Sequence, residues 1–332
     1  MNKNMEKIIR HASNRLQEIS SPQDAWAFVV RTATFLANLT GKNFEPLKNY
    51  DTKTTGKFAQ RKLAKYHSGE SYNFGGIYLP TLATDDYGNL SELYSCVKDI
   101  LGVYLNNNDD YSKSYVDELE KQLIEGVYCY SDAAKNCNIT IKQNDTVLDL
   151  GAWIGVFSAY ASKKGANVYA FEPMQETREI LAKTVQLNNS DKSNKSHESN
   201  KGNIKIVPFG VGDVNQILEF YHYHGHSASS TFSVDNASVN STLAQAKIVR
   251  LDDWVKEENI SKIDFIKADI EGFERNMLIG ATNILKTHQP LLSLCTYHKP
   301  DDPQVMKEII LAANPNYRII QRRMKMFGYI EI

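Results

Sequence analysis

Cysteine is scarce in this chain, and what there is lacks pattern. The four present, Cys96, Cys129, Cys137 and Cys295, show no metal-type pairing. With no signal peptide ahead of them, they read as free thiols of a reducing compartment, so a cytoplasmic protein is expected. Net charge is equally scant, at −1 over 332 residues, which removes any bulk electrostatic reason to expect nucleic acid or a membrane surface as partner. No apolar run is long enough to span a bilayer. Also missing is the full dinucleotide fingerprint Gly-x-Gly-x-x-Gly. After Gly151 the second and third glycine positions hold Trp153 and Val156. A pyrophosphate therefore has poor access, and a nicotinamide-dependent oxidoreductase is disfavoured.

What is present points to another nucleoside ligand. The composition, 42% hydrophobic and 23% charged, is that of an ordinary globular protein long enough for one large or two modest domains. An apolar run, Val147 to Leu150, stops at Gly151, and beyond Gly155 the residues Val156, Phe157, Tyr160 and Ala161 recur at helical spacing. This predicts a buried strand, a tight turn through Gly151, Ala152 and Gly155, and a helix whose first turn offers unpaired N–H groups. A second β-type run, Asn167 to Phe171, ends at Glu172-Pro173, with Glu172 lying 21 positions past Gly151. An acid there is placed to hold ribose hydroxyls. Asp149, beside the turn, is placed to address an ammonium. The set fits S-adenosylmethionine better than a dinucleotide. The strand Ile204 to Phe209 leads to Gly210-Val211-Gly212-Asp213, and its end faces the same crevice of a doubly wound sheet. Val211 or Asp213 would meet the adenine there, or the segment is a plain turn around Gly212.

A second constellation lies downstream. Ile263 to Asp269 is a buried-strand pattern tipped by an acid. Ile270-Glu271-Gly272-Phe273-Glu274 turns from it into a helix, and Leu291 to Thr296 is a further strand followed by Tyr297-His298. Parallel strands would bring Asp269, Glu271 and His298 together. Two carboxylates and an imidazole suit a divalent ion such as Mg²⁺, Mn²⁺ or Fe²⁺. Without one, His298 or a carboxylate would act as general base. Glu274 has a plainer reading as an acid favouring a helix N-terminus. On a strand, His222, His224 and His226 would share one face. Both a zinc reading and an ordinary strand face are open for them, and His226, in a Gly/Ser-rich turn, is the member placed to close over a ligand.

The remaining chain carries less chemistry. Residues 5–40 predict two helices, Tyr72 to Pro80 a strand beside a turn, and Ser91 to Leu105 and Tyr115 to Ile124 further helices. Arg61 to Lys65 is a basic helix face. The polar break Asn106 to Asp110 sets a boundary between a mainly helical region, 1–110, and a catalytic domain, 111–332. Asn188 to Asn203 is too polar to bury a core and reads as a surface loop.

Val147 to Gly155, Phe171-Glu172-Pro173, Val249-Arg250-Leu251-Asp252-Asp253, Lys267 to Glu274 and Tyr297-His298 together resemble the FkbM-type methyltransferases. The resemblance covers residues 145–300, and its most specific block is Asp269-Ile270-Glu271-Gly272-Phe273-Glu274. It implies an α/β class I methyltransferase fold, Rossmann-like, with a doubly wound seven-stranded sheet whose last antiparallel strand pair lies in Tyr317 to Tyr329. It implies S-adenosylmethionine as cofactor, Glu172 on the ribose and the Asp269–His298 region at the reacting centre. The implied reaction is O-methylation of a hydroxyl on a sugar, nucleotide-activated or not, as in surface-glycan biosynthesis, or on a secondary metabolite. A non-catalytic binding or scaffold protein of the same fold is the rival expectation. The chain departs at Trp153, where the family's loop usually has asparagine. Residues 1–110 fall outside the resemblance and are candidates for substrate selection or a homodimer interface.

Overall fold

The computed structural model describes residues 59–83 with scattered neighbours between 53 and 97, then 128–132, 137–190, 202–223, 241–322 and 324–331. The helices expected over 5–40 and 115–124, most of the one over 91–105, the break at 106–110, His224 and His226 lie outside the described residues, as do 191–201 of the polar stretch. So does any dimer face near the N-terminus. The chain divides into two compact units, Met1–His67 with Thr81–Ser95, and Ser68–Pro80 with Cys96–Ile332. The partition thus gives residues 68–80 to the larger unit. In the smaller unit, residues 59–64 are helical, with Leu63 buried and Arg61 and Lys65 exposed.

The larger unit begins with a hairpin, β1 (Ser71–Asn73) and β2 (Tyr78–Pro80), and a second, β3 (Tyr130–Asp132) and β4 (Cys137–Ile139). There follow β5 (Thr146–Leu150), α1 (Val156–Lys163), β6 (Asn167–Phe171), α2 (Gln175–Ser190) and β7 (Ile204–Val207). Next come β8 (Gly210–Gly212), β9 (Gln216–Tyr223), β10 (Ser241–Arg250), α3 (Leu251–Glu257) and β11 (Phe265–Ala268). The chain closes with α4 (Glu274–Gly280), α5 (Thr282–Thr287), β12 (Leu291–Cys295), α6 (Asp302–Ala313), β13 (Tyr317–Arg322) and β14 (Lys325–Ile330).

Seven strands form one sheet in the order β13-β14-β12-β11-β5-β6-β7. All neighbours are parallel except β14, which runs antiparallel to β12 and β13. The order reverses direction at β5, the first strand of the doubly wound set, so a crevice opens beyond the carboxyl ends of β5 and β11. Continuous apolar runs suit these positions because helices cover both faces. Val147, Leu148, Leu150, Phe265, Ile266, Ala268, Leu292 and Leu294 are all at most 1% exposed. Burial of each large side chain contributes about 1.5–3 kcal/mol. In α6, Pro303 in the first turn starts the helix, and Met306, Ile310 and Ala313 bury one stripe against the core.

A smaller sheet, β9-β10-β8, flanks the crevice. Helix α2 runs to Ser190, into the stretch from Asn188 expected as a loop. The reason is long-range: buried Asn188 donates from Nδ2 to Tyr78 O (2.6 Å) and accepts from Tyr78 N–H (3.1 Å), pairing the helix end with β2. Strand β9 ends at Tyr223, so of the three expected strand histidines the described strand reaches only His222. Among the described residues no helix is long and apolar enough to cross a membrane.

Candidate functional site: a cleft at the strand ends

Backbone hydrogen bonds hold the ends of four strands in line. Ala152 N–H donates to Phe171 O, Glu172 N–H to Val207 O, and Asp269 N–H to Leu150 O. The loop after β5 and the loop after β11 therefore touch. Gly151 sits at φ +73°, and a Cβ there would lie 2.0 Å from the carbonyl oxygen of Asp269. Its glycine is demanded by that close approach of two backbones as well as by the turn. Gly155, at φ +87°, faces α2 instead, where a Cβ would meet Leu181 at 2.5 Å. Trp153 between them also holds a left-handed backbone, φ 50°. That conformation is one asparagine adopts readily and tryptophan does not.

A cleft of about 1090 Å³, including its open mouth, lies over these loops. Gly151, Ala152, Glu172, Pro173, Val211, Asp269 and Glu271 line it, together with apolar Phe209 and Ile248. Gly155 does not, because its role is packing against α2. Glu172 is 7% exposed and accepts from the N–H groups of Trp153 (3.0 Å) and Met174 (2.9 Å). Burial pushes its pKa up to about 7, although those two hydrogen bonds pull the other way. Each oxygen keeps a second lone pair beyond these hydrogen bonds.

Two expected cofactor contacts lie elsewhere. Asp149 is fully buried and outside the cleft lining. It lies 2.9 Å from Lys267 Nζ and accepts from Ser158 Oγ at 2.6 Å, so a lysine takes the charge that was expected to meet the donor's ammonium. Lys267 also donates to Gly151 O at 2.7 Å. Burial opposes its charge, yet Asp149 and Asp269 hold its pKa above the ordinary lysine value. Asp213 is outside the cleft lining and accepts from Asn276 Nδ2 at 3.1 Å, while nearby Val211 lines the cleft. The charge of a lysine inside the run Ile266-Lys267-Ala268 was the one sequence signal for this buried pair.

The second constellation does converge. One ligand atom from each of Asp269, Glu271 and His298 lies within 4.8 Å of the others. Asp269 Oδ2 accepts from Tyr128 Oη and Oδ1 from Tyr297 Oη, both at 2.8 Å. Burial alone would raise the Asp269 pKa, but Lys267 and the two hydroxyls outweigh it and hold the carboxyl below its usual range. Burial and the Asp269 charge push both tyrosines well up, so they stay donors. Nothing in the sequence marked Tyr128, which lies 141 positions from its partner. Glu271 stands at φ 55° and Gly272 at φ 94°, a left-handed pair that turns the chain sharply over His298.

His298 Nε2 lies 3.7 Å from Asp269 Oδ1 and 3.6 Å from Glu271 Oε2, and Nδ1 lies 3.1 Å from Glu274 Oε1. Burial disfavours the imidazolium, but Glu274, Glu271 and Asp269 prevail and raise the His298 pKa. The same histidine also stands with Glu274 and Asp302 as a second cluster of ligand type. There Asp302 accepts from Arg275 Nε at 2.6 Å and from Lys299 N–H at 2.7 Å, the first as part of an ion pair that already neutralises its charge.

A model of the methyltransferase FkbM domain matches residues 149–321, just over half of the chain. The chain belongs to the FkbM methyltransferase family. Among curated relatives, the hexuronic acid methyltransferase AglP of Haloferax volcanii is 27% identical over 146 residues, 44% of this chain and 54% of that protein. The methyltransferase sdnD of Sordaria araneosa is 24% identical over 182 residues, 46% of this chain and 64% of that protein. The chain thus spans less than two thirds of the length of either. A solved structure, the methyltransferase FkbM of Methylobacillus flagellatus KT, is 18% identical with a TM-score of 0.43, covering 83% of this chain and 59% of that one. For an FkbM-family chain, the matched segment contains the glycine loop, Glu172 and the Asp269–Glu271–His298 cluster, and its sheet has the class I order.

Proposed function

We propose that this methyltransferase uses S-adenosylmethionine to methylate a hydroxyl group on a sugar, nucleotide-activated or glycan-borne. The observation that supports it best is a cleft lined by Gly151, Glu172, Asp269 and Glu271, with His298 grouped behind those two acids. The donor fits the residues present. Glu172 offers carboxylate oxygens for ribose, Phe209, Val211 and Ile248 offer an apolar wall for adenine, and the 151–153 backbone is turned toward the same space. Once bound, the donor supplies an electrophilic methyl group on a sulfonium.

At the other end of the cleft, the acceptor oxygen would form the new O–C bond and lose its proton as the donor's S–C bond breaks and S-adenosylhomocysteine leaves. In this reading His298 takes that proton, and Asp269, kept ionised by Lys267 and two tyrosines, steadies the resulting imidazolium. A divalent ion on Asp269, Glu271 and His298 would instead lower the hydroxyl's pKa. The fit of such an ion rests on a buried imidazole nitrogen facing two carboxylates. The hexuronic acid named for the Haloferax relative makes glycans carrying that sugar the first acceptors to offer.

The test is transfer of a labelled methyl group. Asp269→Asn and His298→Ala should each lower turnover about 100-fold or more, while S-adenosylhomocysteine affinity stays within about threefold. Undiminished turnover in both variants would reject the site.

A further inference from the structure

We propose that Asp269, Glu271 and His298 bind a borderline transition-metal ion, of the Mn²⁺, Fe²⁺ or Zn²⁺ class, in preference to Mg²⁺, and that Glu274 is the positioning residue that orients His298 toward it. The inference deepens the methyl-transfer reading of the same cleft and rests on it for the ion's purpose, though not for its binding. Three observations carry it. The His298 side chain is nine-tenths buried, and neither ring nitrogen has a regular hydrogen-bond partner. Its Nε2 faces two carboxylates, Asp269 and Glu271, at 3.7 and 3.6 Å. Those separations are too long for hydrogen bonds but suit ligands grouped around one cation. On the far side, Glu274 Oε1 stands 3.1 Å from Nδ1, at an angle short of a regular hydrogen bond.

Glu274 is 0% exposed and anchored, because its Oε1 also accepts the Ile270 N–H at 2.8 Å. A fixed carboxylate beside Nδ1 draws the ring proton to that nitrogen and leaves the Nε2 lone pair directed at the carboxylate pair. This is the arrangement by which an outer carboxylate orients a ligating histidine. Asp269 keeps accepting capacity after its bonds to Tyr128 and Tyr297, since each oxygen has a second lone pair. Selectivity follows from the donor set. Mg²⁺ favours oxygen ligands and retains its waters, whereas one imidazole with two carboxylates suits Mn²⁺, Fe²⁺ or Zn²⁺. The rival arrangement is an imidazolium paired with both carboxylates and no ion at all.

Binding of Mn²⁺ to the chelator-treated full chain, read by loss of the free-ion electron paramagnetic resonance signal, decides between them. The expected result is one Mn²⁺ per chain, Mg²⁺ at least about tenfold weaker in competition, and binding weakened about 10–100-fold in Glu274→Gln. Exposed Glu271→Gln and His298→Ala should weaken it at least as much, with circular dichroism showing each variant folded. Glu271→Gln serves if buried Glu274→Gln does not fold. No Mn²⁺ bound, or equal binding by wild type, Glu271→Gln and His298→Ala, would overturn the proposal. Equal competition by Mg²⁺ would overturn its selectivity. Titrating S-adenosylhomocysteine into the same samples separates the two readings. Donor binding without Mn²⁺ removes the ion and leaves methyl transfer, and Mn²⁺ without donor binding does the reverse.

Discussion

Glu172 shows how one side chain joins folding to ligand binding. Burial moves its pKa from 4.5 to about 7, so the protonated form is the one the fold favours. Below pH 4.5 the carboxyl is protonated in the folded and the unfolded chain, and its contribution to stability is fully present. As pH rises through about 7 that contribution is lost, roughly 3 kcal/mol across the window. Ribose hydroxyls, however, are best accepted by the ionised form. S-adenosylhomocysteine should therefore bind roughly tenfold tighter at about pH 8 than at about pH 6, and Glu172→Gln should flatten that dependence in a calorimetric titration. An unchanged slope in the variant would remove Glu172 from the donor site. Asp149 is the contrasting acid. It lies two positions before Gly151, yet Lys267 and Ser158 enclose it. Neighbouring sequence positions predicted its place, while its partners came from β11 and α1, which only the folded sheet brings near.

The two loops after β5 and β11 behave as one element. The close approach at Gly151, where a Cβ would stand 2.0 Å from Asp269 O, means that the glycine loop and the acid cluster cannot shift independently. Gly151→Ala should destabilise the protein by about 2–4 kcal/mol, visible as a lower denaturation midpoint, and should weaken donor binding and turnover together. A variant as stable as wild type would show that the loops have room to separate. The loops and parallel strands were legible because buried strands ending in Gly151, Glu172, Asp269 and His298 leave strong local patterns. Strand β10 was not, since Ser241 to Lys247 has few β-branched or large apolar residues and its pairing with β9 and β8 is set at long range. The end of α2 was missed for a like reason, because Asn188 reads as a loop residue until Tyr78 pairs with it. Trp153 needed both views. Its left-handed backbone explains why asparagine is the family's usual choice at this point.

Taken as a molecule, the larger unit places a class I sheet and its cleft within residues 68–80 and 96–332, while the family model matches 149–321. Tyr128, which precedes the matched segment, still reaches Asp269 and packs its ring on Phe157 at 5.3 Å between centroids. Residues ahead of the matched domain thus help to shape the cleft beside Asp269. The fold class and the convergence of Asp269, Glu271 and His298 follow from strand-end chemistry. The choice of acceptor does not, because it depends on side chains around the cleft mouth that no local motif records.

The most direct measurement is a crystal structure of the full chain with S-adenosylhomocysteine. The ribose should lie against Glu172, the adenine against Val211 and Ile248, and the sulfur should face Asp269 and His298 across the cleft. A ligand bound elsewhere, or one whose sulfur points away from Asp269 and His298, would contradict the assignment of this cleft as the site of methyl transfer.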